Sequence, residues 1–229
     1  MLPSEVAQAL GSVRDFTRGL RGKLVLLYGL PMVGKTWLSV QLTHKFGDGI
    51  LFWVDENLKG TEYGKWLKTK VKGRVVEVAN PLSLDRLLYK VLHDTDAKYV
   101  VVDSITGVME YIMSKEGPES PRVILRMSRH AVAITHELAK FAHERGACSL
   151  LVAHETPTFE QPWLGVNARP SFLSKGLKNV DMVLYLRKDG DKRILRCLLD
   201  RSPPTGENLT NLEWDLSQVG LPKLEEVGA

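Results

Sequence analysis

The feature that most constrains the fold is an eight-residue stretch, GLPMVGKT, at residues 29–36. An apolar run, Leu24–Tyr28, precedes it, and a helical pattern over 35–46 follows it, with Gly47 as a stop signal. Glycine allows the backbone to turn successive amide groups toward one point, and a helix that begins there directs its positive end at the same point. The order strand, loop, helix predicts the first unit of an α/β sheet.

Short strand patterns alternate with helical patterns along the rest of the chain. One helix is predicted to begin with Asn80 as its N-cap and Pro81 in its first position, and a long helical pattern ends at Gly146. The early strands are apolar throughout, as in a parallel sheet that is covered on both faces. The further predicted strands are Ile50–Val54, Val75–Val78, Tyr99–Asp103, Ser149–Ala153, Met182–Leu186, Ile194–Leu199 and Leu212–Leu216.

These patterns predict one α/β domain over residues 1–229, with a mostly parallel central sheet flanked by helices. Because connections shorten in the last third, we expect antiparallel strands at the C-terminal edge of the sheet. Residues 1–20 are predicted to form an N-terminal helical segment, and residues 217–229 a C-terminal tail.

The composition is that of an ordinary globular protein, with 44% hydrophobic and 25% charged residues. No apolar run approaches the ~20 residues of a membrane span and no signal-peptide pattern is present, so we expect a cytoplasmic protein without membrane contacts. The net charge of +4 is compatible with a nucleic-acid partner without requiring one. Cys148 and Cys197 fall within predicted strands, which favours reduced core residues over a disulfide.

The opening stretch matches GxxxxGKT, the phosphate-binding loop, in the strand–loop–helix context that this loop requires. Lys35 is therefore expected to reach the β- and γ-phosphates of ATP, and the Thr36 hydroxyl to bind Mg²⁺. The alternative is a glycine-containing turn with a surface lysine. The predicted nucleotide-contacting residues are Gly29, Leu30, Pro31, Met32, Val33, Gly34, Lys35, Thr36 and Trp37.

Acidic residues follow two of the predicted strands. Asp103 ends the run YVVVD and is expected to hold Mg²⁺ directly or through water; alternatively it only caps the next helix. Asp55 and Glu56 end the run GILFWVDE, and one of them could orient the attacking water if this strand neighbours the loop strand. We favour Glu56 as this catalytic residue and place Asp55 second. The alternative is a polar strand end that begins a turn.

A third strand ends in His154 and Glu155. A polar side chain at this position could sense the γ-phosphate and couple it to the segment that follows. We favour His154 for this role, with a purely structural histidine as the alternative.

These strand ends, in this order, resemble those of the RecA/RadA family of recombinase ATPases, and most closely the small archaeal RadA paralogues of the RadB type. The resemblance covers about residues 20–222. It implies a RecA-like P-loop ATPase core without the family's N-terminal domain, acting in homologous recombination or DNA repair. It also implies a RadA-type recombinase and further copies of the chain as candidate partners.

The C-terminal third shares the family's order of short motifs, with LRK at 186–188, KRI at 192–194 and SPPTGE at 202–207. In the family this turn caps the ATP bound to a neighbouring subunit, which makes Pro203 a candidate nucleotide contact. The residues onto which the cap falls here are Asp200, Ser202 and Pro203. The cations that could reach a neighbour's γ-phosphate are Arg187, Lys188, Arg193 and Arg196.

Two strand ends depart from the family pattern. His154-Glu155 stands where the family has Asn-Gln, and Asn57 stands where its catalytic glutamate is expected, one residue after Glu56. A shifted glutamate and an altered sensor imply slow or regulatory turnover rather than fast, DNA-coupled hydrolysis.

Residues 156–178 form a candidate DNA-binding loop, because aromatic and basic side chains are interleaved in it. Such residues stack on the bases of single-stranded DNA and neutralise its phosphates, and the family's loop at this place contacts DNA. The alternative is that the aromatic side chains pack on the domain's own surface. The candidate DNA-binding residues are Phe159, Trp163, Arg169, Phe172 and Lys175. A second basic run, from Lys65 to Arg74, is more typical of a solvated face.

Two other functions share the phosphate-binding loop. A KaiC-like signalling ATPase has the same core but acts on protein partners, so it would show no affinity for single-stranded DNA. A P-loop kinase for small molecules usually has its base-bearing strand directly beside the loop strand. A RecA-type core has an extra strand between the loop strand and the Asp103 strand, so the order of strands separates these two classes.

Overall fold

The structure is a computed structural model that describes residues 17–54, 59–117, 120–158, 162–171, 175–201, 208–219, 221 and 223. The strands are β1 (Lys23–Gly29), β2 (Gly49–Trp53), β3 (Gly73–Glu77), β4 (Tyr99–Asp103), β5 (Cys148–Pro157), β6 (Ala168–Pro170), β7 (Met182–Asp189), β8 (Lys192–Asp200) and β9 (Glu213–Asp215). The helices are α1 (Lys35–Phe46), α2 (Glu62–Thr69), α3 (Leu84–His93), α4 (Ile105–Glu116) and α5 (Pro121–Arg145), with 3₁₀ turns at Pro81–Ser83 and Gly176–Asn179. Most of the predicted segments 1–20 and 217–229 lies outside the described residues.

The strands form one sheet in the order β3-β2-β4-β5-β1-β7-β8-β9, and β6 pairs with the end of β5. All pairs from β3 to β7 are parallel, whereas β7–β8 and β8–β9 are antiparallel. The α/β class, the mostly parallel sheet, the flanking helices and the antiparallel edge are therefore as the sequence predicts. One strand, β5, lies between the loop strand β1 and the Asp103 strand β4.

Helices cover both faces of the sheet, which is why the central strands are apolar throughout. We call the face that packs on α1 and α2 the loop face, and the face that packs on α3, α4 and α5 the rear face. Leu38 of α1 and Leu67 of α2 belong to the core on the loop face. Leu88 of α3 and Ile134 of α5 belong to the core on the rear face. Strand residues alternate between the two cores, so a residue's position along its strand determines which face its side chain joins.

The antiparallel edge follows from a tight hairpin. Asp189 pairs with Lys192, so only two residues connect β7 to β8. One of them, Gly190, has a φ of 59°, which glycine adopts without strain and which two-residue hairpins need. Among the described residues, no helix combines the length and the apolar character that crossing a bilayer demands.

Two segments differ from the sequence interpretation. Helix α2 occupies the basic run that begins at Lys65, and its N-cap Thr61 accepts a hydrogen bond from the Gly64 amide at 2.9 Å. Strand β5 continues to Pro157 and pairs antiparallel with β6, so part of the segment 156–178 is sheet rather than loop. Both differences arise from tertiary pairing, which overrides the local polar composition of these segments.

Candidate functional site

The stretch GLPMVGKT lies between the end of β1 and the start of α1. Gly34 occupies the N-cap of α1 with φ 106° and ψ 20°, a left-handed conformation that suits glycine. No side chain caps this helix, and its first turn carries no acidic residue. The first N–H groups of α1 are therefore available to an external acceptor, and the helix dipole favours an anion there.

The Lys35 side chain folds back across this loop. Its Nζ donates hydrogen bonds to the carbonyl oxygens of Gly29 at 2.9 Å and Leu30 at 2.6 Å, and the residue is only 6% exposed. Burial of an ammonium group is costly unless it is hydrogen-bonded, and these carbonyls provide the bonds. The positive charge is thereby held beside the uncapped end of α1.

Gly29 is required by a close approach of two strands. A Cβ built at this position would lie 2.1 Å from the carbonyl oxygen of Leu186 in β7 and 3.3 Å from the Val33 side chain. No larger residue fits here without moving β7. The loop is therefore fixed against the strand that begins the antiparallel edge.

Arg193 of β8 makes a second contact between that edge and the loop. Its Nε donates a hydrogen bond to the carbonyl oxygen of Val33 at 3.1 Å, and a Cβ built on Gly34 would lie 2.9 Å from the same Nε. Sequence reasoning considered Arg193 only as a cation that might reach a neighbouring nucleotide; the structure places it on the chain's own loop. No sequence pattern distinguishes it from the other basic residues of this hairpin.

Three of the other C-terminal candidates, Arg187, Arg196 and Asp200, contact charged groups away from the loop, whereas Lys188 is exposed near the end of β7. Arg187 and Arg196 both lie near Glu213, with shortest nitrogen–oxygen distances of 3.5 and 3.7 Å. Asp200 is buried and forms an ion pair with Lys23 at 3.0 Å, at the end of β1 opposite the loop. Pro203 and Ser202 lie outside the described residues.

Asp103 and His154 lie at the same edge of the sheet as the loop. The carboxyl ends of β1, β5 and β4 are neighbours, and His154 pairs with Gly29 in the register of β5 and β1. Val101 and Val152, each two residues earlier in its strand, belong to the core on the loop face. Strand alternation therefore places Asp103 and His154 on the loop face too. At about 4.8 Å per strand, Asp103 lies roughly 10 Å across the sheet from Gly29.

The Asp103 carboxylate is nearly enclosed, since the residue is 4% exposed. Its carbonyl oxygen accepts a hydrogen bond from the Val54 amide at 2.7 Å, and the following peptide bond, to Ser104, is cis. Ser104 caps α4 by accepting a hydrogen bond from the Gly107 amide at 3.2 Å, so Asp103 is not the cap. In the described part of the chain, no three His, Cys, Asp or Glu side chains form a ready-made metal cluster.

Glu155 belongs to the rear face, unlike His154. Its side chain lies near Tyr185, where burial and then the negative charge of Glu155 and a hydrogen bond to it raise the pKa of the Tyr185 hydroxyl. His154 stays at the loop edge, where its amide donates to Thr106 Oγ1 at 2.9 Å. Of the two candidate sensors, only His154 is on the face that carries Lys35.

The strand that leads to Asp55 and Glu56 does not neighbour the loop strand. Strands β4 and β5 both separate β2 from β1, so the condition attached to this prediction is not met. Asp55, Glu56 and Asn57 lie outside the described residues, so their roles stay predictions.

Sequence reasoning missed a stack of three aromatic rings beside the loop. Trp37 in the first turn of α1 stacks on Trp66 of α2 with ring centroids 5.4 Å apart, and Trp66 stacks on Tyr63 at 6.0 Å. Tyr63 is 48% exposed and ends the stack at the surface. The signal in the sequence was the tryptophan directly after GKT together with Tyr63 and Trp66 one helical turn apart.

The candidate DNA-binding residues are distributed over several environments. Trp163 packs edge-on against Tyr28 on the rear face, with ring centroids 5.5 Å apart. For this residue the alternative interpretation holds, in which the aromatic side chain packs on the domain itself. Arg169 is exposed on β6, and Lys175 is exposed just before the second 3₁₀ turn. Phe159 and Phe172 lie outside the described residues.

The basic run on α2 and β3 does not present one uniform charged face. Lys65 pairs with Glu62 and Lys68 with Glu77, both at 2.6 Å, while Lys70 is buried with its Nζ 5.7 Å from the centre of the Trp66 ring.

No family model matches this chain, and no curated protein matches it either. The functional conclusion therefore rests on the geometry of the site.

Proposed function

We propose that this protein binds ATP and hydrolyses it slowly, on a RecA-type P-loop core similar to that of the archaeal RadA paralogues. The observation that carries the proposal is the loop itself. The uncapped first turn of α1 and the buried Lys35 ammonium combine two sources of positive potential at one point, and the N-cap glycine permits the backbone turn that brings them together. A triphosphate is the biological ligand whose charge and size suit this arrangement.

The order of strands supports a RecA-type core over a small-molecule kinase. Strand β5 lies between β1 and β4, which is the arrangement expected of the RecA-type class. The antiparallel hairpin of β7 and β8, which follows the parallel strands, is also what that class implies at its C-terminal edge.

The residues at the sheet edge fit a magnesium ion. Mg²⁺ prefers oxygen ligands and is usually held by one or two protein groups together with phosphate and water. The Thr36 hydroxyl in the first turn of α1 and the enclosed Asp103 carboxylate on the loop face supply such oxygens. When bound, the ion would neutralise charge on the phosphates; Lys35 would bind the β- and γ-phosphates.

The aromatic stack supports an adenine nucleotide. An exposed ring at the end of a stack offers a flat apolar face to a purine, and such stacking is worth about 1–3 kcal/mol per base. Tyr63 is preorganised for this contact because Trp66 and Trp37 fix its orientation. The ring belongs to α2, which packs on the same face as α1.

Slow turnover follows from the positions of the acid–base candidates. His154 is on the loop face and could contact the γ-phosphate. Strand β2, which leads to Asp55 and Glu56, is separated from the loop strand β1 by two strands, β4 and β5. Glu56, with Asp55 as second choice, keeps the role of orienting water on the strength of the family resemblance alone. In the proposal hydrolysis is a slow, regulatory step.

For the partner, we propose single-stranded DNA in recombination or repair, with the exposed residues Arg169 and Lys175 as phosphate contacts. Two observations favour a second candidate. The Trp163 ring is used for packing against Tyr28 and the α2 lysines are paired, which suits a KaiC-like ATPase that acts on a protein.

One experiment tests the proposal and separates the two candidates. ATP binding and turnover are measured with and without single-stranded DNA at two salt concentrations. Lys35→Ala is the blank, and Lys45→Ala, at the exposed end of the same helix, is the matched control. ATP binding that is lost only in Lys35→Ala supports the nucleotide site. Salt-dependent DNA binding that changes turnover, and that Arg169→Ala weakens, supports recombination. ATP binding without any DNA effect supports the protein-partnered ATPase, and wild-type protein that binds no ATP refutes both.

A further inference from the structure

Helix α5 carries an exposed stripe of residues with the spacing of a helix-docking seam. The residues of the stripe are separated by three, four, three and four positions, which keeps them on one face of a helix over about 21 Å. All of them are exposed, although the opposite face of α5 is buried against the sheet. The stripe consists of Arg122, Leu125, Arg129, Val132 and His136.

The apolar members of this stripe belong to neither of the two described cores of the domain. Leu125 is 46% exposed and Val132 is 38% exposed, and they are one heptad apart. Ile124, next to Leu125, is 54% exposed. Single exposed apolar residues are ordinary, but their recurrence at heptad spacing on the outer face of one helix is the pattern that helix-in-groove partners recognise.

The first part of the stripe, from Arg122 to Arg129, lines one wall of a groove. The space has a volume of about 550 Å³ and is bounded by Arg122, Leu125 and Arg129 of α5 together with Glu116 of α4 and Asp85 of α3. A partner helix laid along α5 would therefore have a second surface to contact.

The charges on this wall define the chemistry of the partner. Arg126, which also lines the groove, is neutralised by an ion pair with Glu116. Among the described residues, neither Arg122 nor Arg129 makes an ion pair. These two guanidinium groups lie two turns apart on either side of Leu125, and guanidinium groups pair well with carboxylates.

A second copy of the chain is a poor occupant. A two-fold axis perpendicular to the stripe would place it antiparallel to its copy, and an axis along the stripe would place the two parallel; in both arrangements Arg129, at the centre, faces Arg129 of the copy. Like charges brought together in this way oppose association.

We propose that the α5 stripe is a docking site for an acidic amphipathic helix of another protein, with apolar residues seated on Leu125 and Val132 and carboxylates on Arg122 and Arg129. This site lies on the rear face, so it is independent of the proposed ATP chemistry. The partner is defined by its pattern of apolar residues at heptad spacing flanked by glutamate or aspartate.

The test uses two labelled synthetic helices of about 21 residues, or three heptads, with leucine at positions a and d. One carries glutamate and the other lysine at positions e and g. Binding to the full chain is followed by fluorescence anisotropy. We expect the glutamate helix to bind at least tenfold more tightly than the lysine helix at low salt, and this preference to shrink as salt rises. The double variant Arg122→Glu, Arg129→Glu should reverse the preference.

Two further variants separate the apolar and charged contributions. Leu125→Ala should weaken binding of the glutamate helix but leave its salt dependence unchanged. Lys45→Glu is the matched charge reversal, because Lys45 is exposed on α1, which covers the opposite face of the sheet, and it should leave the affinity within about twofold. Equal affinity for the two helices, or no binding of the glutamate helix at about 100 µM, overturns the proposal. A wild-type dimer in sedimentation that Leu125→Asp dissociates overturns it too, because the occupant is then a second copy.

Discussion

Replacement of Gly29 by alanine tests whether the loop is held in place by strand β7. The added Cβ would lie 2.1 Å from the Leu186 carbonyl oxygen, and real contacts of this type are not shorter than 3.0 Å. The two backbones must therefore separate by about 1 Å at the point where β1 ends. Because neither atom belongs to a flexible side chain, rotation of a side chain cannot relieve the overlap.

The magnitude follows from known costs of overpacking. Forcing extra carbon into a packed site costs about 1–3 kcal/mol, and this site belongs at the upper end because the Cβ is fixed to one backbone and the oxygen belongs to the other. The loss of chain entropy in the unfolded state returns about 0.4–1 kcal/mol. We expect a net loss of about 2 kcal/mol, which lowers Tm by about 4–8 °C for a domain of this size. The displaced Gly29 carbonyl also holds Lys35 at 2.9 Å, so ATP affinity should fall at least tenfold.

Gly60→Ala is the matched control, because no atom lies within 4 Å of a Cβ built there. Its stability should stay within about 0.5 kcal/mol of the wild type. Chemical unfolding and titration with a fluorescent ATP analogue, both well below Tm, measure the two effects. If Gly29→Ala matches Gly60→Ala in stability and in ATP affinity, the loop is not positioned by β7 and the reasoning fails.

Three other predictions concern ATP affinity, measured by the same titration, and the reactivity of the two thiols. Tyr63→Ala should raise the Kd for ATP about fivefold, because about 1 kcal/mol of stacking is lost, whereas Tyr63→Phe should keep the wild-type Kd. If the two variants have the same Kd, Tyr63 does not stack on adenine. Arg193→Ala should weaken ATP binding severalfold by freeing the Val33 carbonyl, while Arg74→Ala, an exposed control, should not. Burial raises the pKa of the Cys197 thiol to about 12 and that of Cys148 further, so only about 1 in 10⁴ Cys197 thiols is ionised at pH 8. Neither should react with a disulfide reagent until denaturant is added, and stoichiometric reaction of the native protein would contradict their burial.

The strands and helices next to strong punctuation could be predicted closely from the sequence. Helix α1 has the predicted bounds 35–46, and β4 ends at Asp103 as the apolar run indicates. Asn80 is a cap as predicted, since its side chain accepts from the Leu82 amide at 3.0 Å, but it caps the 3₁₀ turn Pro81–Ser83, and α3 begins only at Leu84. In each case a local signal, such as a glycine, a proline or the end of an apolar run, coincides with the end of the element.

The features that depend on tertiary contacts were not predictable. Helix α2 has few apolar residues, and the buried Leu67 and the stack with Trp37 on α1 are what attach it to the domain. The position of Arg193 on the loop depends on the register of β7 with β8, which a sequence does not reveal. Both parts of the candidate site bring together residues that are distant along the chain.

Strand β5 shows why a pair of adjacent candidates could not be separated by sequence. His154 and Glu155 are equally plausible as polar strand ends, yet alternation sends them to opposite faces. The handedness of the β1–α1 crossover and the order of the strands decide which face of the sheet the loop helix covers. The residue pattern of a single strand reveals neither of them. Once α1 is known to cover the face that carries Val152, only His154 remains beside the loop.

The same strand joins the proposed nucleotide site to the candidate DNA segment by a short physical route. His154 pairs with Gly29 of the loop strand, and two residues later Thr156 pairs with Arg169 of β6. The His154 amide also bonds to Thr106, which lines a rear-face groove of about 540 Å³ together with Trp163 and Arg169. A displacement of β5 caused by nucleotide at His154 would therefore reach Arg169 through backbone pairs rather than through flexible side chains. Coupling between sites is carried by contiguous packed and hydrogen-bonded elements, and β5 is such an element between the loop strand and Arg169.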